Sequence, residues 1–210
     1  MIIAIDGPAA AGKGTMARRL AKHFNLAYLD TGLLYRGVGR KVLDQGGNPE
    51  DTDFATTVAE ALEANDLNGD DLRTEEVGQA ASRVSAIPGV RAALLQFQRD
   101  FAATPPAGTN GAVLDGRDIG SVVCPDAPVK LFITASAEVR AERRLKELLG
   151  RGSEAIYARV LEDMMERDAR DSSRATSPLE PAEDAKQLDT SDLDAEQAFT
   201  EALEFINSRI

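Results

Sequence analysis

Met1-Ile-Ile-Ala-Ile-Asp-Gly7-Pro-Ala-Ala-Ala-Gly12-Lys13-Gly14-Thr15 is the stretch on which the reading of this chain turns. Ile2 to Ile5 is a short apolar run without the polar alternation of a half-exposed strand. Such a run suits a strand buried on both faces of a parallel sheet. A glycine-rich loop follows, after which Met16, Ala17, Leu20 and Phe24 recur at helical spacing. Strand, glycine loop and helix start, in that order, gather backbone N–H groups in front of the positive end of a helix dipole. Gly7 and Gly12 are expected to let the backbone curl around a phosphate where a Cβ would collide, and Lys13 to reach the outer phosphates as a point charge. A turn that merely joins a strand to a helix is the alternative, but motif and context agree on phosphate. We read Gly7, Pro8, Ala9, Ala10, Ala11, Gly12, Lys13, Gly14 and Thr15 as a nucleoside triphosphate site.

The lysine is followed by Gly14, and the hydroxyl comes one place later on Thr15. This Gly-Lys-Gly-Thr variant resembles the loop of nucleoside monophosphate kinases. It weakens the case for direct Mg²⁺ ligation by a hydroxyl, so the metal is expected to rest mainly on phosphate oxygens and water.

Working outward, 210 residues can hold one sizeable α/β core plus smaller mobile segments, and an apolar share of 43% is ordinary for a soluble globular protein. No apolar run is long enough to cross a bilayer, and a strand starting at the first residues leaves no room for a cleaved targeting peptide. Cys124 is the only cysteine and His23 the only histidine, which excludes an internal disulfide and argues against a Cys/His zinc site. A reducing cytoplasm and a monomer are expected. A net charge of −11 argues against a broad DNA- or RNA-binding surface. The arginines are concentrated in a few stretches, which suits a small, very anionic ligand.

Leu26 to Leu29 reads as a second strand and Leu33 to Val38 as the start of a helix, with Thr31 as its expected N-cap. Arg36, beside that helix start, is unfavourable for the dipole unless something anionic lies near it. Residues 50–64 read as helix and 65–73 as polar loop. Val77, Ala80, Ala81, Val84 and Ile87 form an apolar stripe capped by Thr74, and Val90, Leu94, Phe97 and Phe101 form the buried face of the next helix. Ser82 and Arg91 sit off these stripes. Ala112 to Asp115 is a buried strand ending in a carboxylate, placed to orient a Mg²⁺-bound water. Gly116-Arg117-Asp118-Ile119-Gly120 follows, and ligands of open parallel sheets bind beyond such strand ends. Val129 to Thr134 and Lys186 to Asp189 complete the strands. Ser136 caps one helix, a second restarts at Ser153 with Ile156 and Tyr157 on its buried side, and Asp194 caps the last. On composition alone, Glu166 to Arg174 is a solvated helix end with (i, i+4) ion pairs.

Strands alternating with helices, with a phosphate loop after the first, predict an α/β fold. It is a P-loop NTPase-type doubly wound parallel sheet of about five strands, within a single domain. An acceptor-binding segment is expected at about 36–105 and a helical lid at about 144–175.

The loop, Asp30 to Arg36, Asp115 to Gly120 with Val122 to Ala127, and Glu166 to Arg174 together resemble the bacterial cytidylate kinase family over nearly the whole chain. The resemblance implies transfer of the γ-phosphoryl group of ATP to CMP or dCMP, with Mg²⁺ and with Lys13 at the donor. It implies that Arg36, Arg117 and Arg174 grip the acceptor phosphate, with Thr31 nearby. Ser82, Arg91 and Asp118 would contact cytosine, and Arg167 and Asp171 the ribose. Arg144 and Arg151 would reach the ATP phosphates from the lid, and Asp115 would serve the metal through water. One departure is plain: relatives commonly carry a longer insert with a hairpin between Val58 and Thr74, where this chain has a reduced, acidic one.

Chemistry favours cytosine. A carboxylate at Asp118 accepts only, so it suits the exocyclic amino group of cytosine and opposes the carbonyl of uracil. Two alternatives stay open: a kinase for UMP or another small acceptor, and a nucleotide-switched binding protein. The latter, if guanine-specific, usually needs Asn-Lys-x-Asp, and no asparagine here precedes a lysine.

Overall fold

A computed structural model describes residues 1–210, apart from the side chain of Asp70. Five strands, β1 (Ile2–Asp6), β2 (Ala27–Asp30), β3 (Ala112–Asp115), β4 (Val129–Thr134) and β5 (Lys186–Asp189), form one sheet in the order β2-β3-β1-β4-β5. Every pairing is parallel. From β1 the chain crosses outward to β2, whereas from β3 it crosses β1 to reach β4. The two connections diverge at the β1/β3 edge, which is where a doubly wound sheet opens a crevice. The register sets Ile5 beside Asp115 and Asp115 beside Asp30, so three strand ends meet there.

Alternate residues of β1 point to opposite faces. Ile3 and Ile5 join Val113, Leu131 and Ile133 under helices α1 (Lys13–Phe24) and α8 (Ala195–Asn207). Ala4 and Leu114 face the other way, against α5 (Pro88–Ala103) and a single π-helical turn, Ile119–Val123. The acceptor segment has a core of its own. Helices α2 (Thr31–Asp44), α3 (Thr52–Glu60), α4 (Glu75–Val84) and α5 share Leu34, Val38, Val58, Val84 and Val90. Helices α6 (Ala137–Gly150) and α7 (Tyr157–Ser173) join through only four buried residues, Ala141, Leu148, Val160 and Met164, against sixteen under α1 and α8. At about 1.5–3 kcal/mol for each large apolar side chain buried, this pair is held far more weakly than the sheet core.

The structure corrects several expectations. Thr31 is the first residue of α2 rather than its cap; Asp30 takes the cap position and makes no side-chain cap bond. Phe97 is 50% exposed and Ile156 62% exposed, so neither lies on a buried face. Helix α7 starts at Tyr157, not Ser153. The reduced insert contains two 3₁₀ turns, Ala64–Leu67 and Asp70–Arg73. The charged run at the end of α7 is not a solvated helix end, because Asp171 and Arg174 are buried.

Candidate active site

The loop after β1 departs from ordinary backbone at three positions, Gly7 (φ 142°), Ala10 (φ 57°) and Gly12 (φ 94°). The two glycines are required for different reasons. A Cβ on Gly7 would lie 2.0 Å from the carbonyl oxygen of Ile133 on β4. Around Gly12 there is open space, so its left-handed φ is what excludes a side chain. The neighbour that excludes a side chain at Gly7 is thus the β4 backbone, whereas at Gly12 it is the backbone conformation itself. The loop is held by its carbonyls, one from within and two from outside. Lys13 Nζ donates to Pro8 O (2.8 Å), Arg140 Nη1 to Ala9 O (3.3 Å) and the Thr190 hydroxyl to Ala11 O (3.3 Å). Helix α1 begins at Lys13 with no capping side chain and no acid in its first turn, so its N-terminus lacks the negative group a helix start favours.

Lys13 is 6% exposed. Burial, reinforced by the Arg117 guanidinium, pushes its ammonium down to about 7. Asp115, at the end of β3, lies beside it and accepts a 3.1 Å hydrogen bond from the Tyr28 hydroxyl. Burial drives its carboxyl upward; Lys13 opposes that shift and neighbouring Asp30 adds to it. Thr31, also buried, donates to Asp115 O at 2.8 Å and so ties the start of α2 to the end of β3.

Lys13 lines an open cleft of about 1550 Å³ together with Arg36, Arg117, Arg144, Arg151 and Arg167. These cations come from the loop after β3 and from α2, α6 and α7, plus Arg151 just past the end of α6. Arg36 is anchored by the reduced insert, donating from Nη1 to Leu72 O (2.7 Å) and Thr74 O (3.4 Å). Burial and then Arg144 lower the Arg36 guanidinium to about 10; burial and then Arg117 do the same to Arg167. Cations that depress one another in this way create a positive potential, which a polyanion relieves. Four of them carry carboxylate partners: Arg144 pairs with Glu75 at 2.8 Å and Glu147 at 2.9 Å, Arg151 with Glu147 at 2.9 Å, and Arg117 and Arg167 with Asp171 at 3.1 and 4.0 Å.

Apart from Arg167, which lines the cleft, the residues expected at cytosine and ribose are buried and close on one another. Arg91, on α5, forms a buried ion pair with Asp118 and stacks 5.6 Å above the Tyr35 ring. Asp171 accepts from Arg117 Nε (3.1 Å) and from the Ser82 hydroxyl (3.4 Å), with Arg167 Nε 4.0 Å away. Burial pushes the Asp171 carboxyl up, but Arg117, Arg167 and Arg174 outweigh it and hold it below the usual carboxylate range. Arg174 donates to Asp171 O (3.1 Å) and Ser85 O (3.4 Å), while its Nη2 has no partner among the described residues. Arg36 and Arg117 thus reach the cleft beside Lys13, and Arg174 backs them through Asp171. Every residue expected at the donor or acceptor belongs to this assembly, Thr31 through its bond to β3.

Sequence reasoning missed three contributors. Arg140, buried, spans the loop carbonyl of Ala9 and Asp168 on α7, the latter at 2.6 Å. Arg170 donates to the Ser82 hydroxyl at 2.7 Å, and this orients that hydroxyl toward Asp171. Asp6, the last residue of β1, accepts from the N–H groups of Ile119 and Gly120, each at 2.7 Å. Burial pushes its carboxyl up to about 7 against the pull of those amides. The signal for Asp6 was present, since an acid closing a buried apolar strand is the pattern that singled out Asp115.

A family model described as cytidylate kinase matches residues 3–208. The chain is 64% identical over 208 residues to the cytidylate kinase of Paramagnetospirillum magneticum, covering 99% of this chain and 98% of that protein. It is 59% identical over 206 residues to the cytidylate kinase of Rhodospirillum rubrum, covering 98% and 97%. Among solved structures, an uncharacterized protein from Eubacterium ventriosum aligns over 100% of this chain and 99% of its own, with a TM-score of 0.55 and 16% identity. That likeness bears on the fold alone.

Proposed function

The chain belongs to the cytidylate kinase family, and we propose how its cleft carries out the reaction of that family. It is a kinase that moves the γ-phosphoryl group of ATP to CMP or dCMP, giving ADP and CDP or dCDP. The observation that carries the residue assignment is the shared cleft: the glycine loop and Lys13 form one wall, and Arg36, Arg117 and Arg167 face it.

The loop from Gly7 to Thr15 holds the donor phosphates on backbone amides and the helix dipole, with Lys13 released from Pro8 O to the outer phosphates. Arg144 and Arg151 exchange their carboxylate partners for donor phosphate oxygens as the α6–α7 lid closes. Arg36, Arg117 and Arg174 grip the CMP phosphate, with Thr31 bracing the strand end beside it. A CMP phosphate oxygen attacks the γ-phosphorus in line; the new O–P bond forms as the bond to the β-phosphate oxygen breaks, and ADP leaves. Lys13 and the converging guanidiniums offset the charge spread over the transferring group. No side-chain base is needed, because the attacking oxygen is already ionised. Ser82, Arg91 and Asp118 read the base, and Arg167 and Asp171 the ribose.

The oxygen chemistry of the site fits Mg²⁺. Asp30 and Asp115 end neighbouring strands, and no group of three or more His, Cys, Asp or Glu able to hold a metal by themselves is found among the described residues. Asp115, through water, is the residue that would hold the ion, with the remaining ligands from phosphates and solvent. When bound, the ion would neutralise charge on the β- and γ-phosphate oxygens. No described helix is long and apolar enough to cross a membrane. A cytoplasmic monomer that binds neither nucleic acid nor membrane accords with the composition.

An ATP-coupled phosphorylation panel with the four ribonucleoside monophosphates and dCMP tests this reading. CMP and dCMP should be turned over far faster than UMP; equal rates for UMP would remove the base assignment.

A further inference from the structure

Beside a backbone bond from Gly116 N to Ile5 O (2.9 Å), one side chain bridges β1 and the loop after β3. Asp6 is 5% exposed, and both of its carboxylate oxygens are engaged: Oδ1 accepts from Ile119 N and Oδ2 from Gly120 N, each at 2.7 Å. Ile119 N–H belongs to the peptide that follows Asp118, so this bond fixes how the backbone leaves that residue. The next peptide is fixed by Gly120 N–H. The π-helical turn beyond them closes back on the same place, with Val122 N and Val123 N donating to Asp118 O. Space beside Gly120 is limited by the Lys130 side chain. A Cβ on Gly120 would sit 3.1 Å from Lys130 Cδ and 3.4 Å from Asp6 Oδ2.

We propose that Asp6 is a positioning residue for acceptor-base selection: by holding the amides of Ile119 and Gly120 it fixes the angle at which Asp118 meets Arg91 and, in its place, cytosine. This rests on the assignment of Asp118 to the base. Asp6 itself touches no substrate. It is the residue immediately before Gly7, so one end of β1 serves the donor loop and, through this carboxylate, the selectivity loop. A carboxylate is required because two N–H donors arrive side by side and only an acceptor on both oxygens satisfies them. In Asp6→Asn the amide oxygen satisfies one donor, and the NH₂ group is set against the other.

The test compares steady-state kinetics with CMP and UMP for the wild type, Asp6→Asn, Gly120→Ala and Asp118→Ala, with folding checked by thermal melts. Asp6→Asn should lower the CMP/UMP ratio of kcat/KM about tenfold through a higher KM for CMP, with KM for ATP within about twofold of wild type. Gly120→Ala, whose Cβ would press on Lys130 Cδ at 3.1 Å and so displace the Gly120 amide while leaving the carboxylate in place, should lower the ratio less and in the same direction. A folded Asp6→Asn with an unchanged ratio, or with KM for ATP raised as much as that for CMP, overturns the inference. If Asp6→Asn does not fold, an unchanged ratio in Gly120→Ala overturns it. The two readings fail differently: no change in Asp118→Ala sinks the base assignment itself, whereas a change there with none in the other variants sinks only the role of Asp6.

Discussion

The proposed donor and acceptor ends of the cleft are built by opposite means. The donor end is one continuous stretch, Gly7 to Thr15, that offers backbone amides and a helix N-terminus and has its carbonyls held by its own Lys13 and, from outside, by Arg140 and Thr190. The acceptor end takes side chains from α2, α4, α5, the loop after β3, and α7, and these satisfy one another: Arg91 with Asp118, Arg117 with Asp171, Ser82 with Arg170. Backbone donors fixed by chain geometry are ready for an anion at any time. Buried charged side chains cannot wait unpaired, so they form internal pairs that the nucleotide must replace. On the proposed assignments, loading of CMP exchanges buried ion pairs, whereas ATP enters a preformed backbone loop and displaces only the Lys13 bond to Pro8 O and the more exposed pairs of Arg144 and Arg151.

The contrast can be broken most severely at Lys13, which belongs to both ends through its neighbour Arg117. Lys13→Ala should lower kcat by roughly 10³ or more, the scale on which one charge acts at a transferring phosphoryl group. The melting temperature of the unliganded protein should change little, because relief of the repulsion with Arg117 offsets loss of the cation beside Asp115 and of the bond to Pro8 O. A large drop in stability would contradict the burial argument.

Asp118→Ala probes the acceptor end. It leaves Arg91 buried and unpaired, so unfolding in denaturant should show a loss of about 3 kcal/mol. The preference for CMP over UMP should erode while KM for ATP stays near wild type. If KM for ATP rises as much, the two ends are not separable in the way described.

Proton linkage sharpens the comparison further. The Lys13 ammonium lies at about 7 in the free protein, lowered by burial and Arg117, and phosphates beside it raise that value. Between the free and bound values the complex carries a proton that the free protein lacks. ATP binding at pH 8 should therefore take up protons, approaching a full proton per ATP, and affinity should fall as pH climbs from 7 toward the bound value. CMP binding should show less uptake, since Arg36 and Arg167, at about 10, are already charged at that pH. Calorimetry in buffers of different ionisation enthalpy measures both; equal uptake for the two ligands would erase the distinction.

The smallest effect is expected at Thr31. Thr31→Val removes the hydroxyl bond to Asp115 O and leaves that carbonyl without this partner, at a cost of about 1 kcal/mol. A melt records the stability change. KM for CMP should rise modestly, with kcat at saturating CMP little altered.

The five strands, the phosphate loop and the caps at Thr74, Ser136 and Asp194 were legible in the chain, because each depends on residues within a few positions of one another. The run from Glu166 to Arg174 was not legible on composition. Ion pairs at helical spacing look the same whether they face water or a buried neighbour, and only the packing of α4 and the loop after β3 against α7 buries Asp171 and Arg174. Phe97 misled in the reverse sense, because an apolar residue in step with Val90 and Leu94 need not be covered. Asp6 ends a buried strand in plain view, yet its partners lie 113 and 114 residues away.

Local order along the chain determined the sheet, its phosphate loop and the residue types at the acceptor, since periodicity, glycine placement and caps act over a few residues and need no partner from elsewhere. Which charges face each other was decided only by tertiary structure. An ion pair or a carboxylate-to-amide bond depends on distances of about 3 Å between segments remote in sequence, and those distances exist only once the sheet has set β1, β3 and the helices around them side by side.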